Sequence, residues 1–256
     1  MKRLTFLLMI SLLPMLGNCA PGQANSTPQI DHTHAAFTTL LAQSVKNDKV
    51  DYAGLKKNRA PLNAYVDSLA AVPESEFKSW DKKQQMAYLI NTYNAVTLKL
   101  VADHYPVKSI RDIGGEKGPW KQPVVRLFGK NQTLDHLEHD LLRPNYKEPR
   151  VHFAVNCASI GCPALRAEAF QATKLDAQMD EQARLFLRDA TKNKVDVKNN
   201  TLHLSEIFDW FKADFVEKSG SLEKFIAPYV NDADRESLQK GAFAVKHMKY
   251  DWTLNK

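Results

Sequence analysis

The chain has 256 residues, 44% of them hydrophobic, with 35 basic against 29 acidic side chains and a formal net charge of +6. Basic and acidic residues alternate without a run of five like charges, so no electrostatic footprint for nucleic acid is present and none is expected as a partner. The length suffices for one sizeable core, and no internal repeat or low-complexity linker follows Gln29.

Met1-Lys2-Arg3 precedes an uncharged run from Leu4 to Leu16, the basic n-region and apolar h-region of a secretory signal. The run is shorter than the roughly 20 apolar residues that cross a bilayer. Two processing sites compete. Leu16-Gly17-Asn18-Cys19 resembles a lipoprotein box, with Asn18 where a smaller residue is usual, and Gly22-Gln23-Ala24 suits ordinary signal peptidase. Residues 1–24 are thus assigned to the signal, 25–31 to a tether and 32–256 to one globular domain. Loss of residues 1–24 removes Lys2 and Arg3 and leaves 33 basic against 29 acidic side chains, a net charge of +4. The expected location is the periplasm or a membrane-anchored lipoprotein of a bacterial envelope, touching membrane only through a lipid on Cys19.

Helical spacing of Phe37, Leu40, Leu41 and Val45 predicts a helix over 35–45. A second spans 60–69, with Pro61 near its first position. The longest covers 82–104, with a broad apolar face that suits burial on most sides and with Asn91 and Asn94 along its flank. Residues 113–123 read as a loop, followed by short strands 124–128 and 132–134 around Gly129-Lys130-Asn131. From Asp135 to Leu142 a helix is expected. At about 100° per residue Glu138 falls inside its apolar face and His139 on its flank. A carboxylate at Glu138 must be paired or protonated.

Val151, Phe153 and Val155 alternate with His152, Ala154 and Asn156, which predicts a buried strand over 150–157 leading into a loop at Cys157–Pro163. A helix over 175–188 follows, then a hairpin of 194–197 and 201–204. Ser205 caps a helix carrying Ile207, Phe208, Trp210, Phe211 and Phe215. Two more helices (221–229, 232–240) precede an extended end at 244–254. The sum is a helix-rich α+β fold around a small, mostly antiparallel sheet.

Of three cysteines, Cys19 belongs to the leader and Cys157 and Cys162 remain, with four residues between them. In an oxidising compartment that pair forms a small disulfide loop, or else one thiol is a nucleophile beside a resolving or bystander thiol. Zinc is the weaker alternative, since no second Cys/His pair has matching spacing. The histidines His32 and His34, near the mature N-terminus, carry no site, and Trp120, Trp210, Phe208 and Phe215 read as core.

Several motifs resemble the bacterial members of domain-of-unknown-function family 547: Asn91-Thr92-Tyr93-Asn94-Ala95, Leu134 to His139, Arg150 to Cys157, Cys162-Pro163, Ser205 to Phe215, and Tyr250 to Asn255, with Thr253 where Ser is usual. They run in order across nearly the whole mature chain. The resemblance implies no activity, so chemistry rests on the residues.

Cys157, at the opening of a loop that holds Ser159 and Gly161, is the candidate nucleophile. His152, about 16 Å back along an extended strand and on its other face, is poorly placed as its base. His139 is the expected base, with Glu138 or Asn94 orienting it. The leading expectation is a thiol-dependent hydrolase or acyl transferase acting on a peptide or envelope polymer, without cofactor. Two alternatives stand beside it. One is a non-enzymatic binding or assembly module stapled by Cys157–Cys162. The other is a metal-dependent enzyme using His139, His152 and Glu138, with Arg150 part of the same polar cluster. Asn91 and Asn94 equally suit satisfaction by the backbone of a neighbouring loop.

Overall fold

The computed structural model describes residues 30–256. The signal, both processing sites, Cys19 and all but the end of the tether lie outside them. Among the described residues no helix is long and apolar enough to cross a membrane.

The fold is helix-rich α+β and is built around one helix. Helix α1 (Ala35–Ser44) runs into a tight hairpin, β1 (Val45–Lys46) and β2 (Lys49–Val50). Helices α2 (Tyr52–Lys57), α3 (Ala60–Ala70) and α4 (Glu74–Ser79) then lead to α5 (Lys82–His104). The start of α5 is fixed by a reciprocal capping box. The Asp81 carboxylate accepts the amides of Lys83 and Gln84, and the Gln84 side chain accepts the amide of Asp81. From Gln85 to Ala102 every residue of α5 except Lys99 is buried. Helices α2 and α3 and the segment 136–142 cover it.

Strands β3 (Val125–Leu127) and β4 (Lys130–Gln132) pair antiparallel through the two-residue turn Phe128-Gly129, whose φ values of 53° and 74° suit a primed hairpin turn. The turn therefore sits one residue earlier than the Gly129-Lys130-Asn131 expectation. Residues His136–Leu142 form a π-helix that continues into α6 (Arg143–Tyr146). Helix α7 (Val151–Ala154) follows, then α8 (Leu175–Arg188). Strands β5 (Lys194–Asp196), β6 (Thr201–Ser205) and β7 (Ala244–Met248) make a three-stranded sheet. Its β5–β6 pair is antiparallel and its β6–β7 pair parallel, from Thr201 opposite Ala244 to Ser205 opposite Met248. Between β6 and β7 lie α9 (Ile207–Trp210), α10 (Lys212–Ser219), α11 (Leu222–Ile226) and α12 (Asp232–Lys240). The single helix expected after Ser205 is broken at Phe211, whose φ of −116° departs from helical backbone.

The predicted strand at 150–157 is a correction. Residues 148–155 coil into a short helical turn, with the amides of Val151, His152 and Phe153 bonded to the carbonyls of Glu148, Pro149 and Arg150. Every residue from Val151 to Asn156 is buried, so the alternation that suggested a strand marks no solvent-facing side. This turn joins two cores. Val151 and Ala154 pack into the cluster around α5, while Phe153 packs among Phe186, Phe208, Phe215 and Phe225. Burying an aromatic ring of this kind stabilises the fold by about 1.5–3 kcal/mol.

The tail histidines are part of the fold rather than free. His32 packs edge-on against Trp80, with ring centroids 4.6 Å apart. His34 is buried, its Nδ1 2.8 Å from the Tyr65 hydroxyl and its Nε2 without a partner. Burial, with the neighbouring His32, lowers the His34 pKa to about 4. The native state thus binds this proton less readily than the unfolded chain, whose histidines titrate near 6.5. Stability from neutral His34 is complete above that pH and is lost as pH falls from about 6.5 to about 4, by roughly 3 kcal/mol in all. Urea unfolding of the native protein and His34→Gln across pH 4–8 should show a slope shallower by about one proton in the variant. Equal slopes would show that His34 is not the acid-labile group.

Candidate functional site

One small cleft gathers most of the chemistry. Its volume is ≈ 180 Å³, room for a side-chain-sized group rather than a whole ligand. Glu138, His152, Cys157 and Cys162 line it, with Trp120, Trp210, Tyr250 and Trp252 as an aromatic wall. Trp120 packs against the core and also lines the cleft, whereas Trp210 belongs to the cleft and not to the core. Trp210 is 44% exposed, whereas Phe208 and Phe215 are fully buried. The rings of Trp210 and Trp252 stack at 5.7 Å, and Trp120 meets Trp252 edge-on at 5.7 Å.

Cys157 and Cys162 lie at disulfide distance, with Cα atoms 6.3 Å apart. Closing so short a loop stabilises by only about 2 kcal/mol in the chain-entropy account. The loop is held by other means as well. From α5, the Asn94 amide donates to the Ala154 carbonyl at 2.9 Å and its oxygen accepts the Asn156 amide at 2.8 Å. Asn156 in turn donates to the Pro163 carbonyl at 2.8 Å and accepts the Ala158 amide at 2.9 Å. The amides of Ile160 and Gly161 bond the carbonyls of Thr253 and Asp251, and the Asn255 amide bonds the Ala158 carbonyl. Gly161 must be glycine, because a Cβ there would stand 2.9 Å from the Asp251 amide nitrogen and 3.0 Å from the Tyr250 ring.

Each sulfur has polar hydrogens aimed at it. The Tyr250 hydroxyl is 3.0 Å from Cys157 Sγ, and Ser159 Oγ is 3.3 Å away. Ser159 donates to the Tyr250 oxygen at 3.0 Å, which leaves the tyrosine proton for the sulfur. Burial raises the Tyr250 pKa far above its ordinary value, so this hydroxyl remains a donor. The Cys157 amide donates to Cys162 Sγ at 2.9 Å. Hydrogen bonds of this kind favour a thiolate over a thiol.

The correction at α7 moves His152 to the cleft wall. Its Nε2 lies 2.8 Å from Asp214 Oδ2, and Phe211 stacks on its ring with centroids 3.9 Å apart. The hydrogen bond from His152, helped by a second from Arg143, holds the Asp214 pKa well below the usual carboxylate range. Asp214 is therefore an anion, and His152 presents its Nε2 proton to it. His152 Nδ1 is buried without a partner, 3.9 Å from Glu138 Oε1. Burial, then the negative charge of Glu138, keeps Tyr93 protonated nearby.

His139 has a different situation. It is exposed at the cleft rim, and Arg143 Nη1 lies 2.9 Å from its Nδ1. A guanidinium only donates, so that nitrogen's lone pair is occupied. Glu138 faces His152 rather than His139, and Asn94 spends both ends of its amide on backbone. A base for Cys157 would on this geometry be His152 rather than His139, with Asp214 as its orienting group. Arg150 lies outside the cleft, paired with Glu148 and, on α8, with Asp176 and Asp180. Asn91 clasps the amide and carbonyl of Phe170. No group of three or more His, Cys, Asp or Glu among the described residues is arranged to hold a metal ion. His139, exposed at the rim with its Nδ1 on Arg143, does not converge with His152 and Glu138 into such a group.

Asp214 and Tyr250 were missed as site residues. Asp214 interrupts the aromatic stretch Phe211–Phe215, and Tyr250 sits in the terminal motif. Their roles arise from contacts 62 and 93 residues away in sequence.

A family model described as "Protein of unknown function, DUF547" matches residues 77–187, a match that supports that family. The segment contains Glu138, His152, Cys157 and Cys162, whereas Asp214, Tyr250 and two of the three cleft tryptophans fall beyond it. No curated protein and no solved structure matches the chain.

Replacing Asn94 by Ala would leave the Asn156 amide and Ala154 carbonyl buried without partners. Chemical denaturation of Asn94→Ala should show a loss of about 2–4 kcal/mol. A loss under 1 kcal/mol would mean the turn does not depend on this clamp.

Proposed function

We propose that this protein is a thiol-dependent hydrolase or acyl transferase that acts on a peptide or envelope polymer, with Cys157 as nucleophile and His152 as its base. The observation that carries the reading is the buried His152 ring. One nitrogen is fixed by an anionic carboxylate, and the other is unpartnered, in a cleft whose wall holds Cys157. That is the division of labour a thiol nucleophile needs: an orienting acid, a histidine held in one tautomer, and a sulfur in a partly exposed position.

In this scheme Cys157 in its free form gives its proton to His152 Nδ1, directly or through one water. Its sulfur attacks an acyl carbon held in the cleft, and His152 returns the proton to the leaving group. Water or an acceptor amine or hydroxyl then releases the acyl group from sulfur. Tyr250 and Ser159 hold the sulfur in place by the contacts already described. The size of the cleft suits a single acyl side chain or one residue of a polymer.

The reading includes export. The leader at residues 1–24, with either lipidation at Cys19 or cleavage after Ala24, supports an envelope protein. A polymer substrate from the same compartment is consistent with it. A second reading, a non-enzymatic binding or assembly module, is favoured by the exposed Trp210 beside a cysteine pair at disulfide distance.

Reduced protein mixed with p-nitrophenyl acetate should release close to one equivalent of p-nitrophenol in a burst. Cys157→Ala should abolish it, and His152→Ala should slow it by about 10²–10⁴-fold. A burst that survives in Cys157→Ala would sink the thiol mechanism and leave the binding module.

A further inference from the structure

We infer that Cys157 and Cys162 form a thiol–disulfide exchange site, in which an external dithiol attacks Cys157 and Cys162 is the leaving thiol. The inference deepens the preceding section, because exchange would switch the proposed nucleophile on and off. Three observations carry it.

The first is accessibility. Both cysteines line the cleft, but Cys157 is only half-buried whereas Cys162 is 4% exposed. The more exposed Cys157 is the sulfur an attacking thiolate meets first. The second is the leaving group. When the Cys157 sulfur is attacked, the S–S bond breaks and its electron pair departs on Cys162 Sγ. That sulfur already accepts the Cys157 amide at 2.9 Å, which stabilises the departing thiolate. A more stable leaving thiolate makes exchange faster.

The third is that the loop does not depend on the covalent link. Asn94, Asn156 and the backbone of residues 251–255 anchor it from both sides through seven hydrogen bonds. A pair that serves only as a staple closes a segment that is otherwise loose. Here reduction leaves the segment where it was, and the two states interconvert without unfolding.

The complete step balances as follows. One thiolate of a dithiol bonds to Cys157 Sγ and Cys162 leaves as thiolate, taking up a proton. The second thiol of the dithiol then attacks its own mixed-disulfide sulfur and closes a cyclic disulfide. Cys157 is released as a thiolate, beside the Tyr250 hydroxyl. Two electrons pass from the dithiol to the pair; of the dithiol's two protons one ends on Cys162 and the other goes to solvent. The partner is thus a protein or small molecule with two thiols close enough to close a ring.

The native protein, produced in an oxidising compartment, would be equilibrated with graded ratios of reduced and oxidised dithiothreitol. It would then be quenched with acid, alkylated and weighed intact. A reversible change between no adducts and two, with the far-ultraviolet circular dichroism unchanged, is expected. Exchange selectivity is read by mass after incubation with oxidised glutathione. Cys162→Ser should carry one glutathione on Cys157, and Cys157→Ser should react at least tenfold more slowly.

A pair that reduces only in denaturant would overturn the inference, as would equal reactivity of the two single variants. The native redox titration decides the matter even if a variant does not fold. Cys162→Ser assayed for the p-nitrophenol burst without reductant separates the two ideas. A burst with an irreducible native pair removes the exchange site and keeps the thiol enzyme. Reversible exchange without any burst does the reverse.

Discussion

The side-chain amide of Asn94 grips both sides of one peptide turn, donating to the Ala154 carbonyl and accepting the Asn156 amide. Much of the site depends on that clamp. It projects from α5, whose residues from Gln85 to Ala102 are almost all buried, so its position is set by the most rigid part of the core. The clamp fixes where α7 ends and therefore the direction in which Cys157 leaves it. Asn91, one turn earlier, does the same for the backbone at Phe170. A polar pair in a buried helix is costly unless satisfied, and here satisfaction is what transmits order from the core to the loop that carries the cysteine pair.

Around that loop the molecule assembles groups from separate layers. The π-helix supplies Glu138, α7 supplies His152, α10 supplies Asp214 and the segment after β7 supplies Tyr250 and Trp252. The wider turn of the π-helix brings Glu138 to the cleft while leaving His139 at the rim beside Arg143. Phe211, at the break between α9 and α10, lies between two positive or potentially positive groups. His152 stacks at 3.9 Å and the Arg143 guanidinium lies 4.9 Å from the ring centre. That one residue, out of helical backbone, covers a face of the His152 ring.

The long elements were legible in the sequence because their signals are repeated. Helices α5 and α8 match their expected limits, since many apolar positions recur at helical spacing and Asp81 or the flanking residues mark the ends. Helix α7 was not legible. Four residues buried on every side carry no periodicity, and β-branched Val151 next to aromatic Phe153 imitates a strand. The strand expectation set His152 well away from the cysteine loop, and so the choice of a base fell on His139. The burial of Glu138 was foreseeable from its angular position. Asp214 was not, because nothing in a nine-residue neighbourhood says that a carboxylate will meet a histidine 62 positions earlier. Helices α2 and α4 went unread because six residues give too few turns to show a face.

The spacing of the two cysteines also sets an order of events during folding. They stand five positions apart, a separation that a flexible chain closes quickly and at little entropic cost. The Tyr250 hydroxyl reaches the same sulfur across 93 residues, and Asp214 reaches His152 across 62. Contacts of such long range form slowly and together with the global fold. The sulfur pair can therefore close while the chain is still largely unstructured, and the acid, histidine and tyrosine are fitted afterwards around a bond that already exists. In an oxidising compartment the newly folded molecule would begin its life with that bond in place.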